Sequence, residues 1–367
     1  MRSVVEGVIY FYLFICVTLL VFNILYIARS TSVSKAREGR IRQWGKELAA
    51  LPASGELTER QGARLKKIEN LMAFQAVLAE QMSEDQAREI LRNNRPLFRS
   101  LALFYGKKPA MERAFFAYVI ASFHPPVGEG HEQMAEILLR YLDNSTVYCR
   151  ENVLHALYAL GSAQAVEHAF TIMSQNSWYH SPKLISDGMV RFSGDRTALV
   201  RRLWNHRADW EECLVVGTVQ FASLLPSDDF AADFLEALRK EELTMETKFA
   251  LVRYFQRHRY APAGSVLRGF LESHTAEEGQ LAVASAAALA AYPGEETRDA
   301  LKQGLHSRNW YVRRNAAQSL VRLGLTPQEE EAIRAEGDRY ANDMLDYALE
   351  TAAPASGGPA ERKGAAI

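Results

Sequence analysis

The chain has 367 residues, 48% hydrophobic and 24% charged, ordinary values for a folded protein. Its 43 Lys and Arg against 44 Asp and Glu leave a net charge of −1, so there is no bulk basic field to hold nucleic acid. The three cysteines, Cys16, Cys149 and Cys213, stand far apart without a CxxC pair or a histidine at ligand spacing, which argues against a disulfide framework or a zinc site and fits a reducing compartment.

Residues 7–28, GVIYFYLFICVTLLVFNILYIA, carry no charge. As a helix they would span roughly 33 Å, enough for a hydrocarbon core. Tyr10, Tyr12 and Tyr26 lie near the ends, where amphipathic rings prefer the interface. A cleaved signal peptide has a shorter apolar run and a small-residue cleavage site; here Arg29 stands where cleavage would fall. Residues 1–29 therefore read as a retained anchor. Arg2 precedes the span, whereas Arg29, Lys35, Arg37, Arg40, Arg42 and Lys46 follow it, so the N-terminus is expected outside and the rest of the chain in the cytoplasm. The same basic residues would face anionic headgroups, each contributing about 1 kcal/mol close to the surface.

Residues 30–95 read as a basic juxtamembrane segment followed by capping helices. A helix from Ser34 to about Leu51 aligns Ile41, Trp44 and Leu48, and Pro52 to Gly55 breaks it. Thr58 opens a longer helix with Leu65, Ile68, Leu71, Met72 and Leu78 along one side. Ser83 and Gln86 form a capping box that starts another, running towards Asn93. These helices are expected to cover the open end of a stack or to form a membrane-proximal stalk.

Residues 96–350 contain an internal repeat. Leu138 to Gly161, LLRYLDNSTVYCRENVLHALYALG, aligns without a gap to Leu301 to Gly324, LKQGLHSRNWYVRRNAAQSLVRLG. Each segment is an apolar helix end, a polar turn, an Arg opening a second helix, and a glycine suited to a C-cap. Weaker copies place equivalents of Arg150 and Arg313 near Arg113, Lys183, Leu214, Lys248 and Ala282. Seven residues further on stand Ile120, Leu157, Val190, Phe221, Phe255, Leu289 and Leu320, all apolar. The Lys183 copy is the least regular, with Leu184, Ile185 and Met189 off the pattern. The expected fold is all-α: a solenoid of roughly six to seven helical hairpins, each burying its apolar face on its neighbours. A last amphipathic run with Tyr340, Met344, Tyr347 and Ala348 on one side would close the far end, and 351–367 reads as a disordered tail.

The pattern L-x3-L, polar turn, V-R-x-x-A-x-x-x-L-x-x-L-G resembles HEAT repeats, strongly over 301–324 and 138–161 and weakly over most of 96–350. The whole chain resembles bacterial membrane-anchored HEAT-repeat proteins. The resemblance implies that Arg150 and Arg313 join a polar ladder between repeats, and that Leu214 and Ala282 interrupt it. It also implies a scaffold or adaptor, with a membrane enzyme of envelope or polysaccharide synthesis as one partner class.

No phosphate loop, GxGxxG, HExxH or GxSxG motif is present, and no carboxylate pair is forced to converge, so the chain is not expected to be an enzyme and no cofactor or metal is expected. If the second helices line an inner face, Asn152, His155 and Tyr158, and Asn315, Gln318 and Arg322, point away from the core. Tyr148, Trp310 and Tyr311 add aromatics at one edge, the alternative for the tyrosines being packing between repeats. The leading expectation is a membrane-tethered cytoplasmic scaffold that binds a membrane-associated protein, without nucleic acid. The alternatives are a HEAT-like enzyme acting on DNA bases or bilins, and a lipid or small-ligand sensor.

Overall fold

The computed structural model describes residues 2–52, 54–123, 130–227, 229–240, 242–273 and 279–352; among these every regular element is a helix. The expected disordered tail lies, from 353 onward, outside the described residues. The chain divides into two compact units, the first made of residues 1–169 with Arg191–Gly194, the second of Phe170–Val190 and everything from Asp195.

The first unit begins with α1 (Arg2–Ala49), a single helix of 48 residues, so roughly 72 Å long. The sequence suggests an anchor and a separate juxtamembrane helix. No proline interrupts the stretch before Pro52, and the two run on as one element. Its apolar part is long enough to cross a membrane and buries nothing within the protein. Near its other end Trp44 and Leu48 are buried where α1 meets α3.

α2 (Glu59–Arg64) starts at a Thr58–Gln61 capping box. It stops before α3 (Ile68–Gln81), where the sequence suggested one longer helix. The turn between them leaves the Leu65 carbonyl to accept from the Tyr105 hydroxyl at 2.8 Å, a bond that an uninterrupted helix would have used internally. α4 (Glu84–Asn93) begins at the Ser83–Gln86 capping box expected from sequence. Then come α5 (Arg95–Tyr105) and α6 (Ala110–Ser122), and α7 (His131–Leu139) and α8 (Val147–Leu160). α1, α3, α6 and α8 pack in series, with α5 beside α7. Gly161 ends α8 with φ +72, the left-handed cap expected there.

α9 (Ala163–Gln175) spans the division between the units. The second unit contains α10 (Pro182–Met189), α11 (Arg196–Asn205), α12 (Glu212–Ala222), α13 (Ala231–Lys240), α14 (Met245–Arg257), α15 (Ala263–Glu272), α16 (Gly279–Ala288), α17 (Glu295–Leu305), α18 (Trp310–Arg322), α19 (Pro327–Ala335) and α20 (Arg339–Ala352). Here α10 packs on α12, α12 on α14, α14 on α16, α16 on α18 and α18 on α20. This serial packing of hairpins is the arrangement of an α-solenoid.

The repeat anchors fall in the first turns of α6, α8, α10, α12, α14, α16 and α18. Six of the seven apolar positions that follow are buried; Val190 is 42% exposed. Polar side chains stitch successive hairpins by donating to backbone carbonyls about one repeat away. Tyr141 Oη reaches the Ala102 carbonyl at 2.6 Å, Tyr292 Oη the Phe255 carbonyl at 2.9 Å, and Ser319 Oγ the Ala286 carbonyl at 2.7 Å. In α20 the buried stripe is Ala341, Leu345 and Ala348, whereas Tyr340 and Tyr347, expected inside, stand 66% and 43% exposed. This row faces the stack, and the two rings are left outside it.

At the base of α1, Arg64 pairs with Glu47 at 2.6 Å and sets its guanidinium 4.5 Å from the Trp44 ring centre. Partial burial raises the Glu47 pKa, but hydrogen bonds from Arg64 and Gln61 outweigh it and hold the carboxyl below its usual 4.5. The unfolded chain therefore binds this proton more readily than the folded one. The contribution is complete above about 4.5 and is lost as pH falls through the lowered folded value. Chemical denaturation between pH 6 and 3 should show stability falling, with a smaller fall in Glu47→Gln; equal slopes for both proteins would remove Glu47 from the acid response.

Candidate interaction surface

α18 begins at an Asn309 N-cap, whose Oδ1 accepts the Tyr311 N–H at 2.9 Å. That cap places Trp310 and Tyr311 in the first turn, 44% and 60% exposed. From Trp310 a step of four residues gives Arg314, Gln318 and Arg322, a stripe along one side of the helix. Arg322 is exposed and Arg314 and Gln318 are half-buried. α20 supplies the neighbouring wall. The Arg314 guanidinium lies 5.7 Å from the Trp310 ring centre and 6.0 Å from that of Tyr347. Arg313 lies 5.3 Å from the Tyr340 ring.

The two arginines differ in their hydrogen bonds. Arg313 donates to the carbonyl of Ser307 at 2.6 Å, closing its own turn. Arg314 has neither a hydrogen bond nor an ion pair among the described residues. Four carboxylates of the α19–α20 region are engaged elsewhere: Arg334 bridges Glu330 at 2.8 Å and Asp346 at 2.6 Å, and His306 bridges Glu336 at 2.8 Å and Asp338 at 2.9 Å. The His306 hydrogen bond, helped by the Ala341 N–H, keeps the Asp338 carboxyl below the ordinary range. Arg314 is thus a half-buried cation beside two rings, its Nε buried and its guanidinium without a hydrogen-bond partner among the described residues, a combination suited to a carboxylate from outside.

Of the residues read from sequence, Trp310, Gln318 and Arg322 come together on this stripe. Arg314 was missed although it sits four residues after Trp310, because its place beside Tyr347 depends on α20. Asn315 turns inward instead: its Nδ2 donates to the Val283 carbonyl of α16 at 2.8 Å. The corresponding face of α8 is not open. Asn152 is buried and donates to the Tyr148 carbonyl of its own helix at 2.8 Å; Tyr158 is 1% exposed, and burial pushes its hydroxyl pKa well up. His155 is half-buried, and burial lowers its pKa despite the opposing Glu151 charge. The physical reason is that α8 is enclosed by α6, α7 and residues 191–194, where Ser193 donates Oγ to the Ala159 carbonyl at 2.7 Å. Tyr148 and Tyr311 stand 48% and 60% exposed, so neither is taken up by packing between hairpins.

The arginines that open second helices donate to backbone carbonyls of the turns. Arg150 donates to the Ser145 carbonyl of its own turn at 3.0 Å. Arg113, at the matching place in α6, reaches the next hairpin, donating to the carbonyls of Asp143 at 2.8 Å and Asn144 at 3.0 Å. The basic residues Arg29, Lys35, Arg37, Arg42 and Lys46 are exposed along α1, with Arg40 half-buried.

No group of three or more His, Cys, Asp or Glu side chains is placed to hold a metal ion among the described residues. No family model matches the chain, and no curated protein matches it. What the structure defines, among the described residues, is an α-solenoid type of packing with one helix long and apolar enough to span a membrane.

Proposed function

We propose that this chain is a membrane-tethered, HEAT-like adaptor that binds an acidic segment of a membrane-associated protein along the Trp310–Arg314–Gln318–Arg322 stripe. The observation that carries the reading is Arg314, fixed between Trp310 and Tyr347 without a carboxylate of its own. Aromatic and arginine side chains dominate interface energetics, and truncating one such anchor costs about 2 kcal/mol or more, roughly thirtyfold in affinity. The apolar helix supports confinement to a bilayer, which raises the effective concentration of a membrane partner without any new contact. The charge asymmetry across the span supports a cytoplasmic location for residues 30–352.

A photo-crosslinking residue at position 318, in the full chain in cells, should join to one discrete membrane protein. The same residue at exposed Leu103 should not, and Arg314→Glu should abolish the adduct. In the same cells a membrane-impermeant maleimide should label Ser3→Cys and spare Leu103→Cys. Adducts that persist in Arg314→Glu, or labelling of Leu103→Cys alone, would overturn the partner surface and the orientation respectively.

A further inference from the structure

In the first unit the starts of α5 and α7 border a cavity of about 430 Å³, the size range of small-molecule sites. Phe98, Ile120 and Leu160 give it an apolar wall, and among the described residues none that lines it is acidic. Its polar lining is all of donor type or adaptable. Arg99 stands on the first turns of α5, lines the cavity and donates from one guanidinium nitrogen to the Gln133 side-chain carbonyl.

His131, the first residue of α7, is only 8% exposed, and among the described residues neither ring nitrogen has a hydrogen-bond partner. The Leu160 carbonyl lies near enough to favour the charged ring slightly, but burial dominates and lowers the pKa, so the imidazole is neutral at neutral pH. An unsatisfied buried imidazole is destabilising, and its retention needs a reason.

Both helix starts lack the side-chain cap that would normally occupy their free N–H groups. For α7 the N-cap is Gly130, which has no side chain to offer. For α5 it is Asn94, whose side chain is used elsewhere: Oδ1 accepts the Leu57 N–H at 2.8 Å, and Nδ2 donates to the Gly55 carbonyl at 2.9 Å. The uncapped N-terminus of α7, a guanidinium and a buried imidazole therefore meet over an apolar wall, while α5 carries Pro96 in its first turn, which has no N–H to offer. Helix N-termini and arginine both favour negative charge.

We propose that this cavity binds a small carboxylate with an apolar body, its charged end held by Arg99, His131 and the first turn of α7. The site is distinct from the stripe on α18 and does not depend on it.

Titration calorimetry on the full chain in nanodiscs tests this, with 4-phenylbutyrate as the probe, 4-phenylbutyramide as its uncharged isostere and inorganic phosphate as an anion without an apolar part. Saturable binding of the carboxylate is expected, with the amide at least about tenfold weaker and phosphate weaker still. His131→Leu should weaken carboxylate binding at least about fivefold while leaving the melting temperature unchanged or higher, because it removes an unsatisfied buried group. A merely structural histidine would not give that split. Arg99→Gln should weaken binding comparably. Equal binding of acid and amide, no saturable binding of the acid, or unaltered affinity in His131→Leu would each overturn the proposal; the comparison of acid with amide on the wild type stands even if a variant fails to fold.

Discussion

Trp44→Ala should undock the membrane helix from the folded part of the chain and cost about 3–5 kcal/mol of stability. Trp44 and Leu48 are the buried residues of α1 among those described, so the helix is held by very few side chains. The indole is fully buried, edge-on to Phe74 with ring centres 5.3 Å apart and an interplanar angle of 75°. The Arg64 guanidinium covers its face, and the Arg64–Glu47 pair ties α1 to α2. Removing the ring leaves a cavity and takes the cation–π partner from Arg64 as well. Trp44→Phe should be much milder, about 1–2 kcal/mol, because the indole N–H has no hydrogen-bond partner to lose. Spin labels at Arg42→Cys and Glu80→Cys would report the docking directly. The wild type and Trp44→Phe should give one narrow distance distribution, and Trp44→Ala a broad one. A narrow, unshifted distribution in Trp44→Ala would mean that α1 is oriented by something other than this contact.

What could be read in the sequence followed from periodicity, and what could not depended on neighbours. Every residue of the Ile41, Trp44 and Leu48 face is at least half-buried, because helical spacing alone puts the three on one side. The capping box at Ser83 and the glycines at 161 and 324 were legible because caps are local chemistry; both glycines have the positive φ their positions required. The face of α8 was misjudged for the opposite reason. Counting from Arg150 predicts which residues meet the adjoining hairpin, but not that residues 191–194 also fold back over Tyr158. In the candidate surface, Trp310, Gln318 and Arg322 were visible as a stripe on α18. Arg314 acquired meaning only when α20 brought Tyr347 alongside. Hydrophobicity alone would put the Tyr340 and Tyr347 rings inside, yet the buried row of α20 is Ala341, Leu345 and Ala348.

The most instructive misreading is the Lys183 copy, and it leads to the second large effect: Gly217→Val should detach α10 from α12. Anchoring at Lys183 put Val190 in the core, yet Val190 is 42% exposed, while Ile185 and Met189 are 1% and 0% exposed. Of this buried pair, Ile185 faces α12 at Gly217, a glycine inside a helix, which would be replaced at a gain of about 0.5–1 kcal/mol if only helix propensity mattered. Packing decides otherwise. A Cβ at 217 would sit 2.8 Å from Ile185 Cγ2, 2.9 Å from Ile185 Cβ and 3.1 Å from the Pro182 carbonyl oxygen. Ile185 is β-branched and has little χ1 freedom, and the carbonyl is backbone, so neither can step aside cheaply. Overpacking of this kind costs about 1–3 kcal/mol, which exceeds the helix-propensity gain and leaves Gly217→Ala less stable by about 1–2 kcal/mol. Valine adds two methyls at the same point and should exceed that loss. The control is Gly269→Ala in α15, where an added Cβ meets nothing within 4 Å and stability should rise by about 0.4–1 kcal/mol. Urea denaturation of the three variants beside the wild type separates packing from propensity. Opposite signs at 217 and 269 are expected; a stabilised Gly217→Ala would show that α10 can back away from α12 without loss, and that close backbone approach is not what seats this short helix.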